Sequence, residues 1–299
     1  MRASLFLVFT GNCLIPVGGY AGDTAWQLHL DRAAPVGSRM DISTTGSQSR
    51  RVETTSSNRP NEITGENLGI TYQAVHQVQA VDPRGRPTEM LLQIERLTTD
   101  DGSGPIEQFT PGTLITARAA GDRTQYQLGR DTLEGTLADA LDLAGAKLPS
   151  IREVSEDAVF LNQTPRHPGE QWSADPKRLS EAIAATSPFI IDPAASSAEI
   201  RFDALLTEGA ISALGTTTRY KVIPAALRGA SADQKLTQSH ITSTTVRLFP
   251  VDPSLPVLKE TLETSMKLLQ SGPLNSTTET TFHRQVTRQC LPLPDNSSR

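Results

Sequence analysis

The amino-acid sequence predicts a mainly β protein, built on a large antiparallel sheet with a few short helices. Residues 70–82 and 88–98 alternate apolar and polar side chains with a period of two, as half-buried strands do. Many other short segments are rich in Thr and Val and are bounded by Gly, Pro or Asp. Helical periodicity is confined to a few stretches, so strands should dominate the fold.

The two alternating segments predict a hairpin. The sequence "PRGRP" between them supplies a turn in which Gly85 takes a positive φ and the flanking prolines stop the strands. If residues 82 and 88 close the loop, Val78 lies opposite Leu92 and His76 lies opposite Ile94. The apolar faces of the two strands then coincide.

Further strands and two helices are predicted along the chain. The strands cover residues 26–32, 38–45, 114–120, 124–128, 199–206, 217–222, 239–249 and 277–287. The helices cover residues 133–146 and 176–185, the second of which begins at a proline suited to a first helical turn. The polar residues 46–66 form either a long loop or the ends of two extended strands.

Residues 255–269 favour two structures at once. Apolar side chains recur there at helical spacing, at Leu255, Leu258, Leu262, Met266 and Leu269. Thr261, Thr264 and the following "SGPLN" are instead typical of a strand and a turn. Periodicity alone predicts a helix.

The stretch "HPGEQWSAD", residues 167–175, has the residue types of a small active site or of a strand start. Gly169 ends a turn and Trp172 is the first large residue after it, as Met40 is after Gly37. This match hints at an internal duplication. It predicts that Trp172 is buried at the start of a strand. The polar side chains around it then belong to loop and solvent faces: His167, Glu170 and Asp175.

The N-terminus predicts export. Arg2 precedes an apolar run, and small residues precede a cleavage point after Ala21, which is the three-part layout of a secretory signal. We expect residues 1–21 to be a signal peptide and residues 22–299 to be a single β-rich domain, periplasmic or extracellular. The apolar run is too short and too interrupted for a membrane span. The alternative is a buried N-terminal strand.

The two cysteines and the net charge limit which disulfide bonds and which partners we expect. Asn12 fits a lipidation site poorly, so Cys13 is expected to leave with the signal. Cys290 then has no internal disulfide partner, which leaves a free thiol or a bond between chains. The formal net charge of -5 gives no attraction to phosphate backbones, so we expect no nucleic-acid partner.

No motif in the chain points to catalysis, a cofactor or a metal. The five histidines are scattered singly, and none has the spacing of a zinc ligand pair. His76, on an apolar strand face, is expected in the core or at its rim. Carboxylate pairs for hydrolysis of glycosides are set in space and stay open. We therefore expect a protein that is not an enzyme.

The motif order resembles that of a group of secreted bacterial proteins of unknown function. The residues that carry this resemblance are "PVGSRMDIS", "VHQVQAVDPRGRP", "HPGEQWSAD" and the run from "LFPVDPSLP" to "TTETTFHRQVTRQ". Such proteins are similar to the half-open β-barrels of lipoprotein carriers and lipid-binding lipoproteins, whose helices cover the concave side. The resemblance implies a large curved sheet of this kind and a strand over residues 255–269, and it carries over no catalytic residue.

This architecture suggests a non-catalytic module that binds an apolar or lipid-like ligand. The segment after Trp172 supplies a short helix with Ile183 and then "SPFIIDP", whose Phe189 and Ile190 need burial. These four residues form the expected apolar pocket, unless they simply close one end of the core. A structural or surface-interaction protein of the cell envelope is the alternative, followed by a hydrolase acting on envelope material. Oligomeric state is left open.

Overall fold

A computed structural model describes residues 24–57, 59–150, 152–161, 164–231, 234–272 and 276–294 of the chain. The expected signal peptide, residues 1–21, lies outside these residues. The helices of the described part are α1 (Thr136–Ala144), α2 (Glu156–Val159) and α3 (Pro176–Thr186). Its strands are β1 (Arg39–Ser56), β2 (Arg59–Val81), β3 (Pro87–Asp100), β4 (Ile106–Glu107), β5 (Thr113–Ala120), β6 (Arg123–Leu128), β7 (Asp131–Leu133), β8 (Gln171–Ser173), β9 (Phe189–Ile191), β10 (Ser197–Glu208), β11 (Ile211–Val222), β12 (Pro224–Leu227), β13 (Lys235–Pro250), β14 (Lys259–Gly272) and β15 (Ser276–Leu293).

One large antiparallel sheet dominates the molecule, as predicted. Its path is β7-β6-β5-β3-β2-β1-β15-β14-β13-β11-β10-β8, with β4 added beside β3. The path consists of two meanders in chain order, which meet where the first strand pairs with the last. Within the part of the chain described, the edge strands β7 and β8 do not pair with each other, so the sheet stays open. The result is a mainly β, half-open fold with a few short helices.

The segments that the sequence left ambiguous both belong to long strands. Residues 46–66 are the ends of β1 and β2, which turn back on each other between Ser56 and Arg59. Residues from Lys259 onward form β14, so the helix that periodicity predicts is wrong and the strand implied by the resemblance is right. The register explains this, because Leu262 lies opposite Val286 in the sheet.

The predicted hairpin forms, but its register is wrong by two residues. His76 lies opposite Leu92, and Val78 lies opposite Met90. The loop closes one residue earlier than expected, because the carboxylate of Asp82 accepts hydrogen bonds from the turn and keeps Asp82 out of the strand. A shift of two keeps each side chain on its predicted face.

Residues 26–32 do not form the expected strand. Apart from a single bridge between Trp26 and Arg166, this segment runs outside the sheet. Its alternating Leu28 and Leu30 are buried in a core all the same. The backbone N–H of Leu30 donates to a carboxylate oxygen of Asp157 at 2.8 Å instead of to a neighbouring strand. Alternation thus indicates an extended backbone with one buried side. A strand also needs a neighbouring strand to pair with, which this segment has only at the single bridge.

Two apolar cores lie on the inner face of the sheet, one in each meander. The first core packs under α1, where Gly46 leaves room for Leu143: a Cβ on this glycine would lie 3.4 Å from the leucine side chain. The second core packs under α2 and α3 and receives Leu28 and Leu30 from the N-terminal segment. The space between the two cores is where the candidate site lies.

Candidate functional site

A cavity of about 660 Å³ lies between the two cores. The first core contributes one side of it and the segments around α2 contribute the other. Its apolar lining includes Met40, Ile42, Met90, Leu148, Val257 and Cys290. Its charged lining includes Glu156, Arg247, Glu260 and Arg288. The cavity therefore combines an apolar wall with a row of charges.

The charged residues form a row across three adjacent strands. Glu260 of β14 lies opposite Arg288 of β15 on one side and opposite Arg247 of β13 on the other. Arg247 Nε donates to Glu260 Oε1 at 2.8 Å, and Arg288 Nη1 donates to Glu260 Oε2 at 3.2 Å. Arg247 Nη1 also donates to a carboxylate oxygen of Glu156, at the start of α2. The row alternates in sign, so each charge lies beside its opposite.

Mutual attraction keeps these groups ionised. Burial disfavours the charged form of Glu260, but Arg247 and Arg288 outweigh it, and the pKa of the carboxyl is held below its usual value. Burial likewise disfavours the charge on Arg247, but Glu156 and Glu260 outweigh it and raise its pKa further. The row is therefore a fixed network of ion pairs at the base of the cavity.

The apolar wall continues from the charged row along β15 and onto the neighbouring strand β1. Ile42 is the inward residue next to Thr44 on β1, and it pairs with Cys290, the inward residue next to Arg288 on β15. Met40 lies two residues further on. Four residues along a strand span roughly 13 Å, so the cavity changes from charged to apolar over about that distance.

A buried tyrosine–histidine pair adjoins this wall. His76 lines the cavity, is 3% exposed, and has its Nε2 2.7 Å from the hydroxyl oxygen of Tyr72. Burial lowers the pKa of His76 to about 3, and the nearby Arg288 acts in the same direction. The imidazole is therefore neutral at physiological pH, held in the core beside the cavity as its apolar strand face predicts.

The wall around α2 is held by reciprocal backbone contacts. The carboxylate of Asp31 accepts from the Ser155 hydroxyl at 2.5 Å and from the Asp157 N–H at 3.0 Å. The carboxylate of Asp157 in turn accepts from the Leu30 N–H at 2.8 Å. These contacts fix the start of α2, and they place Glu156 over the charged row.

The four residues of the expected apolar pocket lie elsewhere. Trp172 and Ile183 are half-buried and pack against the second core. Phe189 is half-buried in β9, and Ile190 beside it is 51% exposed. The triplet Phe189–Ile191 pairs with β12 in a separate two-stranded ribbon. None of the four lines the cavity described above, and ligand binding at them stays a prediction.

The stretch around Trp172 begins a strand. Trp172 is the second residue of β8, pairs with Ile200, and donates its indole N–H to the Phe160 carbonyl at 3.1 Å. His167 is exposed, and Asp175 caps the N-terminus of α3 by accepting from the Arg178 N–H. The polar residues of this stretch therefore serve the turn and the helix rather than one shared site.

Sequence reasoning missed the charged row. Arg247, Glu260 and Arg288 each occupy an inward position of an alternating strand, where an apolar side chain is expected. Charged side chains at inward strand positions are the signal in the sequence. It becomes informative only once the register shows the three residues side by side.

The described residues show neither a metal-binding cluster nor a membrane-spanning helix. They contain no group of three or more His, Cys, Asp or Glu side chains placed to hold a metal ion. They also contain no helix that is long and apolar enough to cross a membrane.

Comparisons with known proteins give distant likenesses only. No protein-family model matches the sequence, and no curated protein matches it. A solved structure of lipovitellin, described for its lipid–protein interactions, is similar at a TM-score of 0.34 and 8% identity, over 89% of this chain and 26% of that one. The chain thus spans about a quarter of the length of that protein. Ail, the attachment invasion locus protein of Yersinia pestis, is similar at a TM-score of 0.12 and 6% identity, over 85% of this chain and 99% of that one.

Proposed function

We propose that this protein is a non-catalytic binding module for an amphipathic, lipid-like molecule. The observation that carries the proposal is the cavity of about 660 Å³ between the two cores, apolar along one wall and charged along its base. Its volume lies within the range of small-molecule sites, which are concave, largely apolar and furnished with a few polar groups.

The apolar wall supports a ligand with a hydrocarbon part. Met40, Met90 and Cys290 present flexible or small side chains that accommodate an irregular apolar surface. Each methylene that an acyl chain buries there contributes about 0.8 kcal/mol. Micromolar affinity corresponds to about 8 kcal/mol net of the cost of association, so roughly fifteen buried methylenes are needed, the length of a long acyl chain.

Most polar groups of the cavity are bound by other side chains or by the backbone, which supports binding rather than catalysis. Glu156 and Glu260 are held by arginines, and the carboxylate of Asp31 accepts from the start of α2. His76 is neutral and hydrogen-bonded to Tyr72. A general base needs a titratable group with an open hydrogen-bonding position and a pKa near the working pH. These groups are committed to the fold instead.

A fluorescent fatty-acid probe tests the proposal. We expect the protein to bind the probe at micromolar concentration and to release it to competing envelope lipid. Met40→Glu places a charge in the apolar wall and should weaken probe binding by about tenfold or more. Leu291→Glu is the matched control. Leu291 is an exposed residue of β15, the strand that pairs with the strand of Met40.

The control variant should bind like the wild type, and both variants should keep the wild-type circular dichroism spectrum. Absence of probe binding at micromolar wild-type protein would overturn the proposal and favour a structural role in the cell envelope. Equal binding by both variants would move the ligand away from this cavity, and the expected pocket at Phe189 would then be tested by Phe189→Asp.

Export is part of the proposal. The signal-like layout of residues 1–21 supports a periplasmic or extracellular location, where a carrier for envelope lipid would work. N-terminal sequencing of the protein from its native host should give a mature chain that begins at Gly22. An intact Met1 on protein recovered from the cytoplasm would contradict this location and leave the cavity proposal to its own test.

A further inference from the structure

We infer that the cavity selects amphipathic ligands with an anionic head group, a carboxylate or a phosphate monoester, and holds that head at its rim with Arg84 and Lys147. This inference rests on the proposed function, because it names the ligand class for the same cavity. The physical ground is that most acceptors around the cavity are already used, whereas two cationic donors are not.

Most acceptors around the cavity are used. Glu260 receives Arg247 and Arg288, one on each oxygen. Glu156 receives Arg247 on one oxygen and the Tyr220 hydroxyl on the other. A cationic head group would therefore have to displace a partner from either carboxylate.

Two further acids of the α2 wall are used as well. Asp31 accepts from the Ser155 hydroxyl and from backbone N–H groups of α2, and Asp157 accepts from backbone N–H groups of the N-terminal segment. Glu153 differs: its side chain is exposed at the rim, and its carboxylate accepts a hydrogen bond from the Ser150 backbone. No salt bridge of this carboxylate is found among the described residues.

Two rim cations have open donors. The side chains of Arg84 and Lys147 are exposed and line the cavity, and neither has a hydrogen bond or ion pair within the described ranges. Their neighbour Arg86 differs, since Asp82 binds its guanidinium through two nitrogens at 2.8 and 2.7 Å. The rim therefore carries two uncommitted cations, whereas its one carboxylate without a salt bridge, that of Glu153, already accepts a hydrogen bond from Ser150.

The two cations belong to segments that are tied together. Arg86 Nη1 donates to the Ser150 carbonyl at 3.2 Å and to the Glu153 carbonyl at 3.4 Å. This links the turn that carries Arg84 to the segment that carries Lys147. Apolar residues that are close to these two cations in the sequence also line the cavity: Pro87, Met90, Leu148 and Pro149. A head group held at the rim would thus direct its tail onto the apolar wall.

The test compares an acid with its ester. A fluorescent fatty acid with a free carboxylate and its methyl ester share one tail and differ in the charge of the head. Arg84→Gln with Lys147→Gln removes both rim cations without touching the buried network. Arg130→Gln with Lys221→Gln is the matched control, because it makes the same change of net charge at exposed residues outside the cavity.

We expect the rim double variant to weaken binding of the acid by about tenfold, from two partly exposed charge contacts, and to leave binding of the ester unchanged. The control double variant should bind both probes like the wild type. The advantage of the acid over the ester in the wild type should shrink in 1 M salt, where the Debye length is about 3 Å. Inorganic phosphate alone should compete only weakly, because it has no tail to bury.

Three outcomes separate the two proposals. Equal binding of acid and ester by the wild type, or an equal loss of both in the rim variant, would overturn the anionic-head inference and leave the lipid-binding proposal standing. Binding of neither probe would overturn both. Competition by millimolar phosphate as strong as that by the fatty acid would identify a site for a free anion, and the inferred amphipathic ligand would be wrong.

Discussion

Glu260 on β14 lies opposite Arg247 on β13, and its Oε1 accepts a hydrogen bond from Arg247 Nε at 2.8 Å. Because the same carboxylate also receives Arg288, its removal leaves Arg247 with Glu156 alone and leaves Arg288 without an ion pair among the described residues. We predict that Glu260→Gln lowers the free energy of unfolding by about 3 kcal/mol, the usual effect of breaking a buried ion pair from one side.

Urea unfolding followed by circular dichroism measures this change. Glu263→Gln is the control, since Glu263 is an exposed residue of the same strand. Its effect should stay within about 0.5 kcal/mol. Similar values for the two variants would mean that the charged row contributes no more to stability than an exposed glutamate.

Replacing Gly145 is predicted to lower stability more than replacing another glycine of positive φ. It ends α1 with a φ of 86°, and a Cβ built on it would lie 1.8 Å from Arg288 Nη2. Gly145→Ala must therefore strain the backbone and also displace the guanidinium from Glu260. Gly129 has a φ of 63° and open space around a built Cβ, so Gly129→Ala adds backbone strain alone.

We expect Gly129→Ala to cost about 1 kcal/mol and Gly145→Ala to cost about 3 kcal/mol, because only the second change disturbs a buried ion pair. Thermal unfolding of the two variants gives the comparison. Equal losses would show that Arg288 moves away from the new methyl group at no cost. The same Gly145→Ala variant should also lose probe affinity, since Arg288 lines the cavity.

The sequence predicted the sheet better than the contacts between its strands. Alternation in residues 70–82 and 88–98 identified strands and inward faces, because a period of two reports burial on one side. It could not give the register, which depends on the hydrogen bonds of Asp82 in the turn. It also failed for residues 26–32, where Leu28 and Leu30 reach the core without a neighbouring strand.

The candidate site depends on the same missing information. Arg247, Glu260 and Arg288 are far apart along the chain or separated by loops, and only the order β13-β14-β15 places them in one row. Apolar clusters such as the triplet at Phe189 are visible in the sequence. A cavity is the space between two cores, and one-dimensional patterns do not describe that space.

His76 should make stability fall in acid. Its folded-state pKa of about 3 lies below the ordinary value of 6.5, because burial disfavours the imidazolium. Between these two values the unfolded chain binds a proton that the folded chain does not. The free energy of unfolding should therefore fall as the pH drops from 6.5 toward 3, by up to about 1.4 kcal/mol per pH unit from this residue.

Urea unfolding at a series of pH values tests the assignment. His76→Asn should lower stability at pH 7 and flatten the slope between pH 6.5 and 4 by close to one proton. His167→Asn, at an exposed histidine, should leave the slope unchanged. A slope that His76→Asn leaves as steep as in the wild type would assign the acid sensitivity to other groups.

Cys290 offers a direct report on the occupancy of the cavity. The thiol lines the cavity, is 4% exposed, and has its pKa raised to about 12 by burial. At pH 8 the thiolate fraction is then about 1 in 10⁴, so a disulfide reagent should react roughly a thousandfold more slowly than with a free cysteine.

In a Cys13→Ser background, a bound fatty-acid probe should slow this reaction further by covering the sulfur. A thiol introduced by Ser47→Cys, at an exposed residue of β1, should react fast and ignore the probe. Fast reaction of Cys290 would contradict the burial of its thiol. A rate that saturating probe leaves unchanged would place the ligand outside the wall formed by Met40, Ile42 and Cys290.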